Sequence, residues 1–472
     1  MERLRTDICV IGAGSGGLSV AAGAVQMGAR VVLIEGAEMG GDCLNHGCVP
    51  SKALIAAATA AQAQRAGAAL GIAPAPAQVD FAAVKDHVTR TIAAIAPHDS
   101  QERFEGLGVR VIRDWASFIS PSEVEAGGCR IRARRFVIAT GARPVLPPIP
   151  GIEAVPVLTN ETIFALRDCP GHLLILGGGP IGFEMAQAHR RLGARVTVIE
   201  AGKLLAREDA EAAALVTAAL RAEGVDIREG ATVVRLRDVP QGVEAVLADG
   251  EVVVASHLFA ATGRKPALDR LNLTTGRIAF TPAGITVGAN LRSATNRRVY
   301  AVGDAAGQGQ FTHLAGAHAG VVIRQAVLGL PASAPATVPR VTYCDPELAQ
   351  TGPTEAEARL TWGGALTVIR QPFAGNDRAQ AEGATDGFLK LMAVRGKAVG
   401  VTIAGPGAGD HLALWQLVIE RRLPLSAVAG LVLPYPTRSE TAKRAAGAYF
   451  SAKLFDNPAL KRVVRLVQRF LP

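Results

Sequence analysis

The sequence predicts an α/β protein built from two Rossmann-like units and a third unit of α+β type. Two observations carry this prediction. A glycine-rich turn follows an apolar strand at residues 12–17 and again at residues 177–182, and each turn is followed by a strand that ends in an acid, Glu35 or Glu200. The two turns and the two acids are both 165 residues apart. One such turn would be weak evidence, but two with identical spacing indicate a repeated unit.

Each turn has the residue types that the pyrophosphate of a nucleotide needs. Glycines allow a tight bend and bring the free N–H groups at the start of the next helix close to the anion, which the helix dipole also favours. The acid at the end of the following strand can accept a hydrogen bond from a ribose hydroxyl. We therefore predict two dinucleotide sites, the first with Gly12, Gly14, Gly17 and Glu35 and the second with Gly177, Gly179, Gly182 and Glu200.

A second repeat closes each of these units. Residues 137–144 and 259–266 both run from an apolar strand into Ala-Thr-Gly and a basic residue. Because ligands of parallel sheets lie at the carboxyl ends of strands, the residues just after these strands are candidate contacts. This adds Thr140, Gly141 and Gly263 to the predicted site positions.

Asp304 ends a further apolar strand. At a strand end it is a candidate to bind a polyol hydroxyl, although an Asp there can also cap the segment that follows. We expect this strand to return to the first domain, which would then contain residues 1–150 and 271–335, with the second domain at 151–270. A Pro/Ala-rich linker precedes the α+β unit at residues 340–472.

The bulk composition narrows the class of protein. A length of 472 residues suits about three domains, and 49% apolar residues with 19% charged residues are enough for packed cores. No uncharged apolar run reaches the ~18–20 residues of a membrane span, and the first strand begins near Asp7, where a signal peptide would lie. We therefore expect a cytoplasmic protein. The net charge of +9 is spread over short clusters with only 4% aromatic residues, which argues against a nucleic-acid groove.

Among six cysteines, only Cys43 and Cys48 are close in sequence. A secreted disulfide framework would be denser, so in a reducing compartment this pair indicates a catalytic or a metal-binding function. A structural zinc site would need more thiols nearby, and we predict no resident metal. The pair follows the first glycine turn by one strand length, which places two thiols beside the first nucleotide.

Together these features resemble the flavin-dependent pyridine nucleotide–disulfide oxidoreductases, which include dihydrolipoamide dehydrogenase, glutathione reductase and mercuric reductase. The resemblance covers essentially the whole chain and follows the family's order of motifs. It implies a homodimer formed through residues 340–472, with tightly bound FAD at the first site and NAD(P)H at the second. It also implies FAD contacts at Gly41, Asp42, Lys52, Ala116, Thr140, Gly141, Asp304 and His313, and NAD(P)H contacts at Glu184 and Gly263.

The resemblance implies that Cys43 and Cys48 form a redox-active disulfide, with Cys43 as the outer, exchanging thiol and Cys48 facing the flavin. A disulfide needs Cα atoms ~4.4–6.8 Å apart. Residues five apart on a regular helix are farther apart than that, so Asn45 and Gly47 must bend the chain. Cys48 would then lie at a helix N-terminus, where a thiolate is favoured.

The resemblance also assigns residues farther along the chain. Lys52 and Glu184 are expected to form an ion pair near the flavin atom that accepts the hydride, since a buried lysine needs such a partner. A helix beginning near Thr312 is expected to direct its positive end at the flavin. His313 and His318 are expected to be packing or backbone-contact positions rather than ligands.

The chain departs from the family near its C-terminal end. Tyr435 stands where the family has a catalytic His, and Glu440 keeps the place of that residue's Glu partner; in the family this pair reaches across a dimer interface to the thiols. Tyrosine titrates near 10 and histidine near 6.5, so we expect weak turnover of disulfide substrates. Mercuric reductases also carry Tyr here but add a C-terminal cysteine pair, whereas the last cysteine of this sequence is Cys344. The chain thus resembles a mercuric-reductase-like branch without those delivery thiols.

The expected reaction passes a hydride from NADH through FAD to the Cys43–Cys48 disulfide and then to an unknown acceptor. NADH is favoured because Glu200 suits a free 2′-hydroxyl, although Lys203 and Arg207 nearby could soften that preference. Two alternatives stay open. One is a metal-ion reductase that uses the same thiols with help from Tyr435, and the other is a slow redox sensor or diaphorase-type flavoprotein.

Two features have open roles. His46, between the cysteines, either lowers a thiol pKa, or binds a soft metal with them, or is a tolerated exposed position. From Leu460 onward, apolar and basic residues alternate with the period of an amphipathic helix. We expect this helix to pack on the α+β unit, with docking to a membrane surface or an acidic partner as the alternative.

Overall fold

The computed structural model describes residues 1–471, apart from the side chains of residues 69, 452 and 453. The chain begins with a mixed sheet of order β3-β2-β1-β6-β5-β4, in which the first four strands are parallel. The elements are β1 (Glu2–Ile11), α1 (Ser15–Gln26), β2 (Val31–Ile34), α2 (Gly41–Asn45), α3 (Cys48–Arg65), α4 (Phe81–Ile95), α5 (Gln101–Gly106), β3 (Arg110–Ile112), β4 (Ser117–Ser120), β5 (Glu123–Ala126), β6 (Cys129–Ile138) and β7 (Ala142–Pro144).

The second sheet is parallel throughout, with order β11-β10-β9-β15-β8, and a three-stranded antiparallel sheet, β12-β13-β14, accompanies it. The elements are β8 (Val157–Leu158), β9 (His172–Leu176), α6 (Pro180–Arg191), β10 (Arg195–Glu200), α7 (Ala210–Ala222), β11 (Asp226–Glu229), β12 (Val233–Val239), β13 (Gly242–Leu247), β14 (Val252–Ala255) and β15 (His257–Ala260).

The chain then returns to the first sheet. The elements of this segment are β16 (Arg264–Pro266), β17 (Phe280–Thr281), β18 (Gly284–Ile285), β19 (Val299–Ala301) and α8 (Thr312–Val322). Strand β16 pairs with β7, and β19 pairs in parallel with β6, with Val299 opposite Phe136. The return strand therefore brings Asp304 to the same sheet edge as the first glycine turn.

The third unit is an antiparallel sheet of order β20-β21-β24-β23-β22 with helices around a core that contains Trp415. The elements are β20 (Arg340–Thr342), β21 (Glu347–Thr351), α9 (Glu355–Trp362), β22 (Leu366–Pro372), α10 (Asp377–Ala381), β23 (Phe388–Val394), β24 (Lys397–Gly405), α11 (Ala408–Glu420), α12 (Leu425–Ala429), α13 (Glu440–Phe455) and α14 (Pro458–Phe470).

The central parallel strands of the first and second sheets are buried on both faces. All five residues of β9 and the last four of β1 are buried. Parallel strands covered on both sides need a continuous apolar run rather than an alternating one, which is the pattern in the sequence. The rigid sheet edges then hold the glycine turns that follow β1 and β9.

Ion pairs fix the third unit against the second. Arg191 on α6 contacts Asp345 at 2.9 Å and also pairs with Glu223. Lys390 on β23 is buried and contacts Asp209 at 2.9 Å at the start of α7. Buried charges are tolerated only when they are paired, so these contacts specify one arrangement of the two units. The Arg191 contact holds the segment around Tyr343 beside α6.

The prediction that the C-terminal helix packs on the α+β unit is wrong. Helix α14 forms where the amphipathic pattern places it, but it contains no buried residue. Every residue from 461 to 471 is exposed. The periodicity of the sequence specifies the helix, but the rest of the described chain offers no surface that covers it. Among the described residues, no helix is long and apolar enough to cross a bilayer.

Candidate active site

The first glycine of each turn occupies a position that only glycine can fill. Gly12 has φ 106°, and a Cβ placed there would lie 2.4 Å from the carbonyl oxygen of Ala139. Gly177 has φ 109°, and its Cβ would lie 2.5 Å from the carbonyl oxygen of Ala261. L-residues rarely adopt this backbone region, and both distances are far below van der Waals contact. The two turns are therefore built in the same way.

The remaining glycines of each turn allow close packing of the helix and leave its first N–H groups uncapped. A Cβ on Gly17 or Gly182 would lie 1.8 or 2.1 Å from the carbonyl oxygen of the first glycine in its own turn, so both allow close helix–strand packing. Helices α1 and α6 begin after Gly14 and Gly179, which have no side chain to cap them. Their first N–H groups are left available for an anion such as a pyrophosphate.

The two acids make matching contacts. Glu35 accepts hydrogen bonds from the N–H groups of Ala13 at 2.5 Å and Ala37 at 2.7 Å. Glu200 accepts from Gly178 and from the N–H two residues after itself, both at 2.7 Å. A carboxylate has about four acceptor positions, so each acid is fixed in place and can still accept from a ribose hydroxyl. These turns and acids fit two dinucleotides.

A cavity of about 520 Å³, the turn cavity, lies at the first glycine turn. Trp115 lines it, with the guanidinium carbon of Arg143 5.4 Å and that of Arg270 4.2 Å from the indole ring. Sequence reasoning missed this cluster, because Trp115 and Arg270 belong to no motif, Arg143 appeared only as part of a repeated turn, and the three are not adjacent in sequence. The cavity also contains these predicted FAD positions: Gly12, Gly14, Glu35, Gly41, Asp42, Ala116, Thr140 and Gly141.

A second cavity of about 680 Å³, the thiol cavity, adjoins the first and shares Gly14, Asp42 and Gly141 with it. The start of α6, at Pro180 and Ile181, also lines this cavity, so the second glycine turn leads towards it. Because they share Gly14, Asp42 and Gly141, the two cavities lie side by side between the first glycine turn and the thiols. The other predicted positions that line the thiol cavity are Cys43, Cys48, Lys52, Glu184, Asp304 and His313.

The cysteines lie on two short consecutive helices. Cys43 is in α2, and Cys48 is the first residue of α3, as expected from the need to bend the chain. Gly47 between them has φ −127° and ψ −114°, and a Cβ there would lie 3.3 Å from the Cα of Cys43. Both cysteines are free thiols in this structure. The Cys48 Sγ is 3.3 Å from the Oγ1 of Thr312 at the start of α8.

The two thiols differ in acidity. A hydrogen bond from Cys43, followed by one from Thr312 and the charge of Lys52, lowers the pKa of Cys48 to about 6. The same hydrogen bond, together with burial, raises the pKa of Cys43 well above its ordinary value. At neutral pH, the reduced pair is therefore a Cys48 thiolate that accepts a hydrogen bond from a Cys43 thiol.

The structure brings Lys52 and Glu184 together. The Lys52 Nζ lies 2.8 Å from Glu184 Oε2, and the other carboxylate oxygen accepts the backbone N–H of Tyr343 at 3.0 Å. Lys52 also lies 4.2 Å from the centre of the Tyr343 ring. Glu184 is buried. Tyr343 was missed by sequence reasoning, because only the packing of the third unit against α6 brings it here.

Asp304 lies just after β19 and lines the thiol cavity. Burial raises its pKa to about 6, with partial opposition from the nearby Arg264. His313 lines the same cavity, but its Nε2 contacts the Pro339 carbonyl oxygen at 2.8 Å. The Nδ1 of His318 accepts the N–H of Gly303 at 3.2 Å. Both histidines thus make backbone contacts.

Asp42 lies where the two cavities meet. Its Oδ1 accepts a hydrogen bond from Asn160 at 2.9 Å and lies 3.2 Å from the Arg264 guanidinium. Arg264 balances the negative charge of Asp42, and Asn160 helps to hold its carboxylate in place. Asn160 carried no signal in the sequence, and Arg264 appeared there only as part of a repeated turn.

Gly263, directly before Arg264, has φ 122°, and its carbonyl oxygen accepts the N–H of Val145.

Tyr435 and Glu440 lie in the third unit and do not line the thiol cavity of their own chain. Tyr435 is 69% exposed, and its hydroxyl donates to Asp377 Oδ2 at 2.7 Å. That hydrogen bond raises the pKa of Tyr435 above its ordinary value. Glu440 begins α13, and its Oε2 is buried without a hydrogen-bond partner in the described part of the chain. The partner of Tyr435 is thus Asp377, which the sequence did not indicate.

His46 contacts Glu38, with its Nε2 3.5 Å from the carboxylate, and its side chain is 36% exposed. The described residues contain no group of three or more His, Cys, Asp or Glu side chains that could hold a metal ion. The geometry around the thiols therefore gives His46 a single carboxylate neighbour rather than a set of fellow ligands.

Comparison with known proteins places this geometry in a family. The sequence model described as pyridine nucleotide-disulphide oxidoreductase matches residues 6–319, and the model of that family's dimerisation domain matches residues 338–446. The chain is 34% identical over 461 residues to the mercuric reductase of Streptomyces lividans, covering 94% of this chain and 96% of the relative. It is 34% identical over 457 residues to the dihydrolipoyl dehydrogenase of Thermus scotoductus, covering 94% and 97%.

Comparison with solved structures supports the same family. The HOCl-induced flavoprotein disulfide reductase RclA from Escherichia coli is 28% identical, with a TM-score of 0.84 over 93% of this chain and 99% of the other. Its fold and the two matched family models confirm the predicted α/β architecture with a C-terminal dimerisation domain. The chain therefore belongs to the pyridine nucleotide-disulphide oxidoreductases, and it is an NAD(P)H-dependent flavoprotein oxidoreductase of the class that uses FAD and a redox-active disulfide.

Proposed function

We propose that the enzyme uses NADH to reduce the Cys43–Cys48 disulfide and that the resulting dithiol passes both electrons to an external acceptor. The observation that carries this proposal is that both thiols line one cavity together with the Lys52–Glu184 ion pair. The opposite pKa shifts of the two thiols support it. FAD, when bound along the turn and thiol cavities, supplies a hydride acceptor that relays the electron pair to the disulfide. We also propose that the predicted site residues act as assigned above. The proposed domains are residues 1–150 together with 271–335, residues 151–270, and residues 340–472.

The residues around the thiols determine which sulfur of the reduced pair stays ionised and which is protonated. An electron pair breaks the S–S bond and leaves one negative charge on each sulfur. Cys48 keeps its charge because Cys43, Thr312 and Lys52 all stabilise a thiolate there. Cys43 takes up one proton, and it must lose that proton again before it can attack an acceptor. The reactivity of Cys43 therefore depends on a base.

We propose that this base position is supplied by the second subunit of a homodimer. Tyr435 is exposed, lies outside the thiol cavity of its own chain and belongs to the matched dimerisation domain. An exposed aromatic residue in such a domain suits an interface. We also propose a cytoplasmic location, where a reducing environment would keep the cysteines from forming stable structural disulfides.

A screen of acceptors tests whether electrons reach the final acceptor through the Cys43–Cys48 dithiol. FAD-loaded protein is given NADH or NADPH with lipoamide, glutathione disulfide, metal ions or quinones, and each rate is compared with that of Cys43→Ser. Activity that depends on Cys43 supports transfer through the dithiol. Equal rates in the variant with every acceptor would contradict it and indicate a diaphorase-type flavoprotein.

The preference for NADH should depend on Glu200. We expect Glu200→Ala to raise the ratio of kcat/KM for NADPH to that for NADH by about tenfold, because the carboxylate repels a 2′-phosphate and accepts from a free 2′-hydroxyl. The measurement is steady-state kinetics with both nucleotides. Glu229→Ala is the matched control, since Glu229 ends the neighbouring strand β11 and contacts the Leu204 N–H. An equal shift in both variants would argue against a specific role for Glu200.

Lys52 and Glu184 should tune the Cys48 thiolate in opposite directions. The charge of Lys52 lowers the pKa of Cys48, and that of Glu184 raises it. We therefore expect Lys52→Met to raise this pKa by roughly 1 and Glu184→Gln to lower it. The pH dependence of the thiolate–flavin absorbance measures both values. Shifts in the same direction would indicate structural damage instead of a charge effect.

Metal-ion reduction is the second candidate function. It is favoured by Tyr435 and by the relatives, since the chain is 31% identical over 454 residues to the mercuric reductase of Lysinibacillus sphaericus and 27% identical, with a TM-score of 0.85, to a Cu(II) complex of RclA. The Cys48 thiolate, whose pKa is lowered, is a good ligand for soft metal ions. NADH oxidation driven by Hg(II) or Cu(II) and lost in Cys43→Ser would support this function.

A further inference from the structure

Helix α14 is well formed at its start. The side-chain oxygen of Asn457 accepts hydrogen bonds from the N–H groups of Ala459 at 3.0 Å and Leu460 at 3.2 Å. Pro458 occupies the first turn, where a missing N–H costs nothing. The segment is therefore an ordered helix and not a frayed tail. It also lies beyond residue 446, where the match to the family's dimerisation domain ends.

From Ala459 onward, the side chains of α14 are fully segregated. At 3.6 residues per turn, its apolar residues fill one arc of roughly 160° and its polar residues fill the opposite arc. The apolar arc holds Ala459, Leu460, Val463, Val464, Leu466, Val467 and Phe470. The polar arc holds Lys461, Arg462, Arg465, Gln468 and Arg469.

The described chain does not cover the apolar arc. Val463 is 55% exposed, Phe470 is 75% exposed, and α14 contains no buried residue. Leaving this much apolar surface in water is unfavourable, at about 25 cal/mol per Å². A contiguous exposed apolar face of this kind marks a docking surface.

We propose that α14 docks on the surface of a lipid bilayer that contains anionic lipids. The polar arc carries four cations, and residues 457–472 contain no acid. Helices with this pattern lie in the plane of the membrane, with the apolar arc in the acyl region and the cations among the headgroups. The 13 residues of α14 would span about 20 Å, which is too short to cross the bilayer, so the helix lies on it.

Pairing with a second copy of α14 would cover the apolar arc but would leave the charges unbalanced. Two copies joined through their apolar arcs would keep all eight cations on the outer faces of the pair, with no acid of either helix to balance them. An anionic lipid surface satisfies the apolar arc and the cations together. The charge pattern therefore selects a membrane over self-association.

Flotation of the FAD-loaded full chain with vesicles tests the proposal. We expect binding to vesicles of equal phosphatidylglycerol and phosphatidylcholine, and loss of binding with phosphatidylcholine alone or at high salt. The double variant Val463→Asp with Val467→Asp should bind at least about tenfold more weakly. The variant Arg462→Gln with Arg465→Gln should lose mainly the salt-sensitive part of the binding.

A matched control is available on strand β14. Val252 and Val254 are 48% and 42% exposed, close to the 55% and 40% of Val463 and Val467. Val252→Asp with Val254→Asp should leave flotation unchanged. Circular dichroism and bound FAD check that all variants fold. The proposal is overturned if wild type does not float, if both Asp pairs bind equally, or if only the oligomeric state measured by sedimentation changes in the α14 variants.

Discussion

Replacing Cys48 with serine is expected to abolish the long-wavelength absorbance that forms when the FAD-loaded enzyme is reduced anaerobically by NADH, and to lower acceptor turnover by about 1000-fold or more. The reason is that Cys48 is the thiol whose pKa is lowered to about 6, so it is the only partner of the pair that is ionised at neutral pH. Serine has the same shape but does not form a disulfide or an anion at this pH. Stopped-flow absorbance measures the band, and steady-state kinetics measure the turnover.

Cys43→Ser should behave differently. It also removes the disulfide, but it leaves Cys48 free to ionise, so we expect a stable thiolate–flavin absorbance in the oxidised enzyme together with the same loss of turnover. Cys169→Ser is the matched control, because Cys169 is a half-buried free thiol whose pKa is raised by burial. We expect it to behave as wild type. If Cys43→Ser lost the band and Cys48→Ser kept it, the assignment of inner and outer thiols would be reversed.

Replacing Tyr435 with histidine is expected to raise the kcat for a disulfide substrate such as lipoamide by about 100-fold, the lower end of what general acid–base catalysis contributes. The Cys43 thiol has a raised pKa and needs a base. Tyr435 cannot act as that base at neutral pH, because its hydrogen bond to Asp377 raises its own pKa further. A histidine at this position would titrate near 6.5 and could be oriented by Asp377 or Glu440.

The pH dependence of kcat shows whether Tyr435→His acts as a new base or only changes the interface in a general way. The histidine variant should gain a kcat that rises with pH through about 6–7, whereas Tyr435→Phe should stay close to wild type with disulfides. Tyr435→Phe should, however, slow any metal-driven turnover that uses the hydroxyl. If Tyr435→His and Tyr435→Phe gave the same disulfide kinetics, Tyr435 would not occupy the base position.

The local motifs of the site could be predicted from the sequence. The glycine turns are specified by backbone conformation and close contact, as the φ of 106° at Gly12 and the crowding at Gly17 show. The helix start at Cys48 follows from Gly47 directly before it and from Pro50, which suits the first turn of a helix. Such features depend on neighbours in sequence and therefore leave a readable pattern.

The contacts that the sequence did not reveal join residues far apart in the chain. Tyr343 reaches Glu184 across 159 positions, and Asp377 reaches Tyr435 across 58. Trp115 meets Arg270 only because the chain returns to the first sheet after the second unit. The error over α14 has a similar origin, since periodicity specifies a helix but not the surface that covers it.

Anaerobic reduction of the FAD-loaded wild-type chain with NADH over a series of pH values tests the thiol relay most directly. We predict that about one equivalent of NADH per bound FAD produces the thiolate–flavin absorbance, and that this absorbance disappears on acidification with a midpoint near the pKa of Cys48, about 6. Complete bleaching of the flavin at every pH without that absorbance would show that the electrons never reach the Cys43–Cys48 pair, and the account of a disulfide relay would be wrong.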